Sequence, residues 1–290
     1  MIKKAVIPAA GFGTRLLPVT KSQPKEMIPI VDTPTIQYVV EEAVESGITD
    51  ILMVIGRGKR AIEEHFDRSF ELELALAEKE KKEELESIRN ITSLADIHFV
   101  WQKELNGLGD AIRYAQHHVG NEPFAVLLGD TIMESYSGVP VTRQLIDVFS
   151  AYQAPVVALE SVDPSLVSRY GVMGGKVVDN QIYKVSQFIE KPRPENAPSN
   201  LVIAGRYVFT ADIFNYLKIV PRGLNNEVQL TDAMGLMLKD RAMYALHFDG
   251  CRHDIGNKVD FIKTNLLFGL KREDMADELK TWIKELAQTL

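Results

Sequence analysis

Near its start the sequence runs from an apolar stretch, Ala5-Val6-Ile7-Pro8, straight into Ala9-Ala10-Gly11-Phe12-Gly13-Thr14-Arg15. An apolar strand opening into a glycine-bearing loop is a strong constraint: such units build α/β sheets, in which the loop beyond the strand's carboxyl end faces a ligand. The rest of the chain repeats the rhythm. Apolar runs predict strands at Ile51–Ile55, Ile97–Trp101, Phe124–Leu128, Val156–Leu159, Val202–Phe209 and Ala242–Phe248. Several are apolar throughout, as expected of strands covered on both faces. Between them, helical patterns cover Ile36–Ser46 (stopped by Gly47), Lys59–Phe66, Asp110–Val119, Arg143–Tyr152 and Val228–Lys239. The alternation predicts a Rossmann-like α/β fold with a mixed, mostly parallel central sheet flanked by helices.

Three segments stand outside that rhythm. Residues 71–90 are densely charged, with Glu78 and Lys82 at an i,i+4 spacing, and predict an exposed helical insertion. Gly171–Lys191 alternates with glycine and Asn-containing turns and predicts a β-hairpin excursion from the main sheet. In the tail, 272–290, a helix would place Leu279, Trp282, Ile283, Leu286 and Leu290 on one face, which we expect to dock on the chain's own core. With no repeat, linker or low-complexity stretch, residues 1–290 read as one domain.

The glycine loop fails two tests. A dinucleotide fingerprint needs a third glycine, and Leu16 stands there. A P-loop needs Gly-Lys-Ser/Thr at its end, but this loop has Thr14-Arg15, and Gly56-Arg57-Gly58-Lys59 is followed by Arg60. A glycine loop by itself is commonly a tight βα turn. Arg15, with a planar fork of donors, and Lys25 ten residues on argue instead for phosphate. Two cations without a P-loop suit a triphosphate attacked at its α-phosphorus. The net charge of −7 argues against nucleic acid as a main partner. Cys251 is the single cysteine, so no intrachain disulfide or Cys-based zinc site is possible, which fits the cytoplasm. The apolar part of the start is too short for a signal peptide, and no apolar run suits a membrane span. His117 and His118 are adjacent, so on a helix they diverge rather than chelate, and His65 reads as a packed histidine.

Gly-x-Gly-Thr-Arg, eight residues, then Pro-Lys resembles the signature of the sugar nucleotidyltransferases. The ordered segments PKEMIPIVDTPTIQYVVEEA, GRGKRAIEEHFDRSFELE, QKELNGLGDAI, SRYGVM, FIEKP and NEVQLTDAM are similar to the bacterial-type UTP–glucose-1-phosphate uridylyltransferases, from Met1 to about Phe268. Each motif alone is modest; their order is specific. The resemblance implies the nucleotide-diphospho-sugar transferase fold and Mg²⁺-dependent transfer of uridylate from UTP to glucose 1-phosphate, giving UDP-glucose and pyrophosphate. It also implies a homo-oligomer, dimer or tetramer.

The attacking phosphate is already ionised, so such a reaction needs positioning and charge neutralisation rather than a general base. By the resemblance, Lys25 contacts the nucleotide phosphates, Arg15 stabilises departing pyrophosphate, and Lys191 holds the sugar phosphate. Ala9, Ala10, Gly11, Gly13, Thr14, Gln102 and Gly107 are implied to surround the nucleotide, the Gln102 amide pairing with the imide edge of uracil. Gly171, Val172 and Glu190 are implied to meet the sugar, and Asp130 and Asp254 to hold the metal. Two carboxylates are enough for Mg²⁺, which takes its remaining ligands from phosphates and water. Two positions depart from the family pattern: Asp110 replaces a common His, and Thr33 a frequent Lys. Both remove positive charge near the expected phosphates. They leave open the same chemistry with another nucleotide such as dTTP or another sugar, or a weakly catalytic regulatory paralogue that binds nucleotide sugar.

Overall fold

The computed structural model describes residues 2–289; Leu290 of the tail pattern lies outside the described residues. A 9-stranded sheet runs through the molecule. Its strands, in chain order, are β1 Lys4–Ala9, β2 Asp50–Ile55, β3 Asp96–Trp101, β4 Phe124–Leu127, β5 Val156–Ser161, β6 Gly171–Asp179, β7 Ile182–Glu190, β8 Leu201–Phe209 and β9 Tyr244–His247. Their spatial order is β3-β2-β1-β4-β8-β5-β9-β7-β6, with one further contact between β8 and β6. β1 lies between parallel β2 and β4, and β9 runs parallel to β5, while β7 and β8 run against their neighbours.

The helices are α1 Thr35–Glu45, α2 Arg60–Phe66, α3 Phe70–Glu78, α4 Lys82–Thr92, α5 Leu108–Arg113, α6 Gln116–Val119, α7 Val141–Tyr152, α8 Ile213–Ile219, α9 Leu230–Met237, α10 Lys258–Gly269 and α11 Ala276–Ala287. Because successive residues of a strand face opposite ways, the apolar run of β1 feeds two cores. Ala5, Ile7 and Ala9 pack with α1, α2 and α7, whereas Val6 packs with α5, α8 and α9 on the other face. This three-layer arrangement explains why the strands read as continuous apolar runs.

Several expectations need correction. The hairpin is not an excursion: β7 pairs with β9, so β6 and β7 extend the main sheet to its edge. The single helix expected over Asp110–Val119 is two short ones, because the Tyr114 and Ala115 amides donate to the carbonyls of Ala111 and Ile112, three residues back, in tighter bonds than an α-helix makes. The charged insertion is likewise two helices, α3 and α4, broken where Glu80 adopts positive φ. The tail helix α11 lays Leu279 against Gly269 but leaves Trp282 and Leu286 exposed, so its apolar face is only half covered. Consistent with the expected divergence of His117 and His118, His118 turns to Asp50 at 2.7 Å. His65 is half-buried as a packed residue, bonded to Gln37 at 3.0 Å. Among the described residues, no helix is long and apolar enough to cross a membrane.

Candidate active site

The loop after β1 begins at Ala10 and tightens into a turn at Thr14–Leu16. Gly13 adopts φ +67, and a side chain there would start 3.0 Å from the Lys25 Cβ. The glycine therefore serves both backbone conformation and close packing. Thr20 Oγ1 donates to the Gly13 carbonyl at 2.9 Å and ties the loop down. Lys25 rises from the short turn Lys25–Met27. The next residue, Glu26, is buried and accepts from Lys59 Nζ at 2.7 Å, pinning that turn to the start of α2. Burial drives the Glu26 carboxyl pKa up and the Lys59 ammonium pKa down.

Asp130 lies just beyond β4, at the carboxyl ends of the central parallel strands, where α/β sheets bind ligands. Asp254 is far away in sequence, yet a small ribbon brings it alongside. Strand Thr131–Ser135 pairs antiparallel with Gly250–Asp254, Asp254 opposite Thr131, and the Ile255 amide donates to the Asp130 carbonyl at 3.2 Å. Lys25 Nζ donates to Asp130 Oδ2 at 2.6 Å, and Arg15 Nη1 donates to Asp254 Oδ2 at 3.3 Å. The other Arg15 amino group lies 4.0 Å from Asp130. Two carboxylates and two cations thus form one cluster.

Its electrostatics follow from those contacts. Burial opposes the Lys25 charge, but the carboxylates of Asp130 and Glu26 outweigh it and hold the ammonium pKa above the usual lysine value. Burial likewise opposes ionisation of Asp130, and Lys25 and Arg15 overcome it, leaving the carboxyl below its ordinary range. Lys25 and Asp130 therefore both carry charge at neutral pH.

The cluster sits where two lobes of a cleft meet. One lobe, about 680 Å³, is walled by Ala10, Gly11, Gly13, Thr14, Gln102 and Gly107. The other, about 800 Å³, is walled by Gly171, Glu190, Lys191, Thr231 and Arg252. Arg15, Asp130 and Lys191 line both. In the second lobe Glu190 Oε2 accepts from Thr231 Oγ1 at 2.7 Å, and Lys191 Nζ lies 3.4 Å from Glu190 Oε1. A Cβ on Gly171, opposite Glu190 in the hairpin, would come within 3.3 Å of that carboxylate.

The structure does not bring every expected residue to the cleft. Ala9, the last residue of β1, is packed into the core, and Val172, in β6, is buried with Val167 and Val202. Neither side chain walls a lobe. Thr33 starts a two-residue strand, Thr33–Pro34, that pairs with Pro29–Ile30 away from both lobes, and it is bonded to Asp32. Asp110 does not add a free anion beside phosphates: its carboxylate is buried against Gln102 and Arg113.

Other residues escape a reading of the sequence. Arg206, fully buried in β8, donates to Glu42 Oε2 on α1 through Nε at 2.9 Å and Nη2 at 2.7 Å. It also donates to the carbonyls of Leu128 (3.4 Å) and Thr131 (2.8 Å), on either side of Asp130. Glu42 in turn accepts from the Thr142 amide at the start of α7. This network fixes the loop that carries Asp130. Arg252, stacked 4.5 Å from the Tyr170 ring and paired with Glu160, lies two residues before Asp254 but carries no local signal of its own. Gly256 gives the Arg15 guanidinium its place, since a Cβ there would overlap it.

Comparison with known proteins shows the family to which the chain belongs. A profile of the family described as nucleotidyl transferase matches residues 4–268. A UTP–glucose-1-phosphate uridylyltransferase of Staphylococcus haemolyticus is 51% identical over 285 residues, 98% of each chain. A UDP-glucose pyrophosphorylase structure complexed with UDP-glucose aligns with a TM-score of 0.87 and 43% identity, covering 94% of this chain and 100% of that one. The UTP-bound enzyme from Acinetobacter baumannii aligns with a TM-score of 0.92 and 39% identity, covering 99% and 100%. The chain belongs to the nucleotidyl transferase family and, within it, to the UTP–glucose-1-phosphate uridylyltransferases.

Proposed function

We propose that this protein transfers the uridylyl group of UTP to glucose 1-phosphate, forming UDP-glucose and pyrophosphate, at the junction of the two lobes. The observation that carries the reading is the convergence of Lys25, Arg15, Asp130 and Asp254 at that junction. UTP lies in the lobe walled by the glycine loop and Gln102, and the sugar phosphate in the lobe walled by Glu190 and Lys191. A phosphate oxygen of the sugar attacks the α-phosphorus of UTP in line, and the bond to the β-phosphate oxygen breaks. Lys25 neutralises charge at the reacting phosphates, Arg15 stabilises the leaving pyrophosphate, and Lys191 draws in the sugar phosphate. Glu190 accepts from glucose hydroxyls, with Thr231 holding its carboxylate in place. The nucleophile is already an anion, so no residue serves as general base.

Asp130 and Asp254 supply only carboxylate oxygens, a donor set that suits a hard divalent cation, and we assign it Mg²⁺. Bound there, the ion would neutralise phosphate charge and so reduce repulsion between the two anionic substrates. Lys25 and Arg15 donate to the two aspartates. The same cations turn to phosphate when substrate arrives.

Asp110 gives no support to a weakly catalytic paralogue, because it is turned into the wall and paired. We further propose a cytoplasmic homo-oligomer, dimer or tetramer; the exposed Val259, Ile262, Trp282 and Leu286 of α10 and α11 support an interface between copies. The test of function is pyrophosphate release from UTP and glucose 1-phosphate. Release is expected with Mg²⁺ and both substrates, and not after chelation or omission of either substrate. Folded protein giving no release above background would overturn the proposal.

A further inference from the structure

Gln102 ends the strand-to-loop passage after β3 and lies almost wholly buried in the wall of the nucleotide lobe. Its Nε2 donates to Asp110 Oδ2 at 3.0 Å and faces the Gly107 carbonyl at 3.4 Å. Both partners are acceptors. Turned the other way, the amide would set oxygen against oxygen, so its sense is fixed by its surroundings. The two amide hydrogens are thereby used, and Gln102 Oε1 has no partner among the described residues. It is the atom offered to the lobe.

Asp110 itself is held. It sits in the first turn of α5, and the start of that helix is fixed by the Gly109 amide donating to the Val228 carbonyl at 2.9 Å. Gly107, at φ +98, packs so closely on Glu227 that a Cβ would come within 2.7 Å. The second carboxylate oxygen of Asp110 accepts from Arg113 Nη1 at 3.4 Å. An ionised carboxylate only accepts, so it leaves the neighbouring amide one orientation.

We propose that Asp110 is a positioning residue that selects the class of pyrimidine through Gln102. Uracil and thymine carry a hydrogen on N3, which a fixed Oε1 accepts. Cytosine presents a lone pair at N3, which the same oxygen repels. Asp110 therefore favours imide bases over cytosine and leaves uracil and thymine undistinguished. The inference rests on the reading of this lobe as the base site.

The test compares kcat/KM for UTP, CTP and dTTP in the full chain, its Asp110→Asn variant and its Gln102→Ala variant. The ratio of two nucleotides is independent of the active fraction, so partial misfolding does not distort it. Calorimetric binding of UTP and CTP reads the ground-state part of the same discrimination without turnover. Asp110→Asn keeps the shape of the side chain, but its NH₂ can face Gln102 and reverse the amide. It is expected to lower the UTP:CTP ratio by roughly tenfold or more, the effect of one mispaired buried hydrogen bond, while leaving UTP:dTTP within about twofold. Gln102→Ala is expected to lose the same discrimination. A UTP:CTP ratio unchanged in folded Asp110→Asn, or an equal fall for all three nucleotides, overturns the proposal alone if Gln102→Ala still collapses the ratio. If Gln102→Ala also leaves it intact, or the unaltered protein does not prefer UTP to CTP, the base-site reading fails with it.

Discussion

Lys25 and Arg15 differ in how the fold holds them, and that difference sets what their loss should do. Lys25 stands in a cleft with Asp130, which keeps Arg15 and solvent as alternative partners. Lys25→Ala is expected to lower kcat by about 10²–10³-fold, the scale of removing one preorganised electrostatic contact, with the thermal midpoint falling only a few degrees. Steady-state kinetics beside calorimetry checks this. Arg15 is exposed and lies over Gly256. Gly256→Ala should displace the flexible end of Arg15 without straining the backbone, so turnover should fall at least tenfold while the melting temperature stays put; unchanged kinetics would mean Arg15 is not held for catalysis. The sequence pointed to Arg15, Lys25, Asp130 and Asp254, which the structure brings into one cluster, because each belongs to a short motif. Arg206, Thr231 and Arg252 act through partners far away in sequence, and residue type alone does not reveal such pairings.

At the level of elements, the loop bearing Asp130 depends on β8, α1 and α7 meeting through Arg206, Glu42 and Thr142. Arg206→Met leaves the Glu42 carboxylate buried without its cation, and is expected to cost about 3–5 kcal/mol of stability in denaturant unfolding. Adding Glu42→Gln should recover part of the stability but not the activity, because the Leu128 and Thr131 carbonyls remain unserved. A second element is held by charge. Glu73 of α3 accepts from Arg68 at 2.7 Å and from Arg89 of α4 at 2.9 Å, and these bonds lower its pKa from 4.5 to about 2. A carboxyl with a depressed folded-state pKa stabilises above its unfolded value and loses that contribution as pH falls through the folded one. The destabilisation caused by Glu73→Gln should therefore be full at pH 7, shrink below about pH 4.5 and vanish only below about pH 2. A pH series of melting curves reads it; a constant difference would show that Glu73 acts by shape and not charge. The helical insertion was legible from its charge pattern. Its break at Glu80 and the split of the helix after Gly107 were not, because both come from local backbone bonding rather than from apolar period.

Across the whole molecule, apolar strand runs predicted the sheet because burial on both faces writes itself into sequence. The ends of elements and the edge of the sheet were less legible. Ribbon strand Gly250–Asp254 is short and mixed in character, yet it is what carries Asp254 to Asp130. The hairpin reads the same whether it stands apart or pairs with β9, since register is set by a strand elsewhere in the chain. The architecture gathers two lobes around one charged junction, and the proposed chemistry there is attack at the α-phosphorus of UTP. The most direct measurement follows UTP labelled at either its α- or its γ-phosphorus through turnover with glucose 1-phosphate, in the protein and in Lys25→Ala. The α label should appear in UDP-glucose and the γ label in pyrophosphate, with both transfers falling together in Lys25→Ala. Label from the γ-phosphorus in the sugar product, or Lys25→Ala transferring as fast as the unaltered protein, would contradict it.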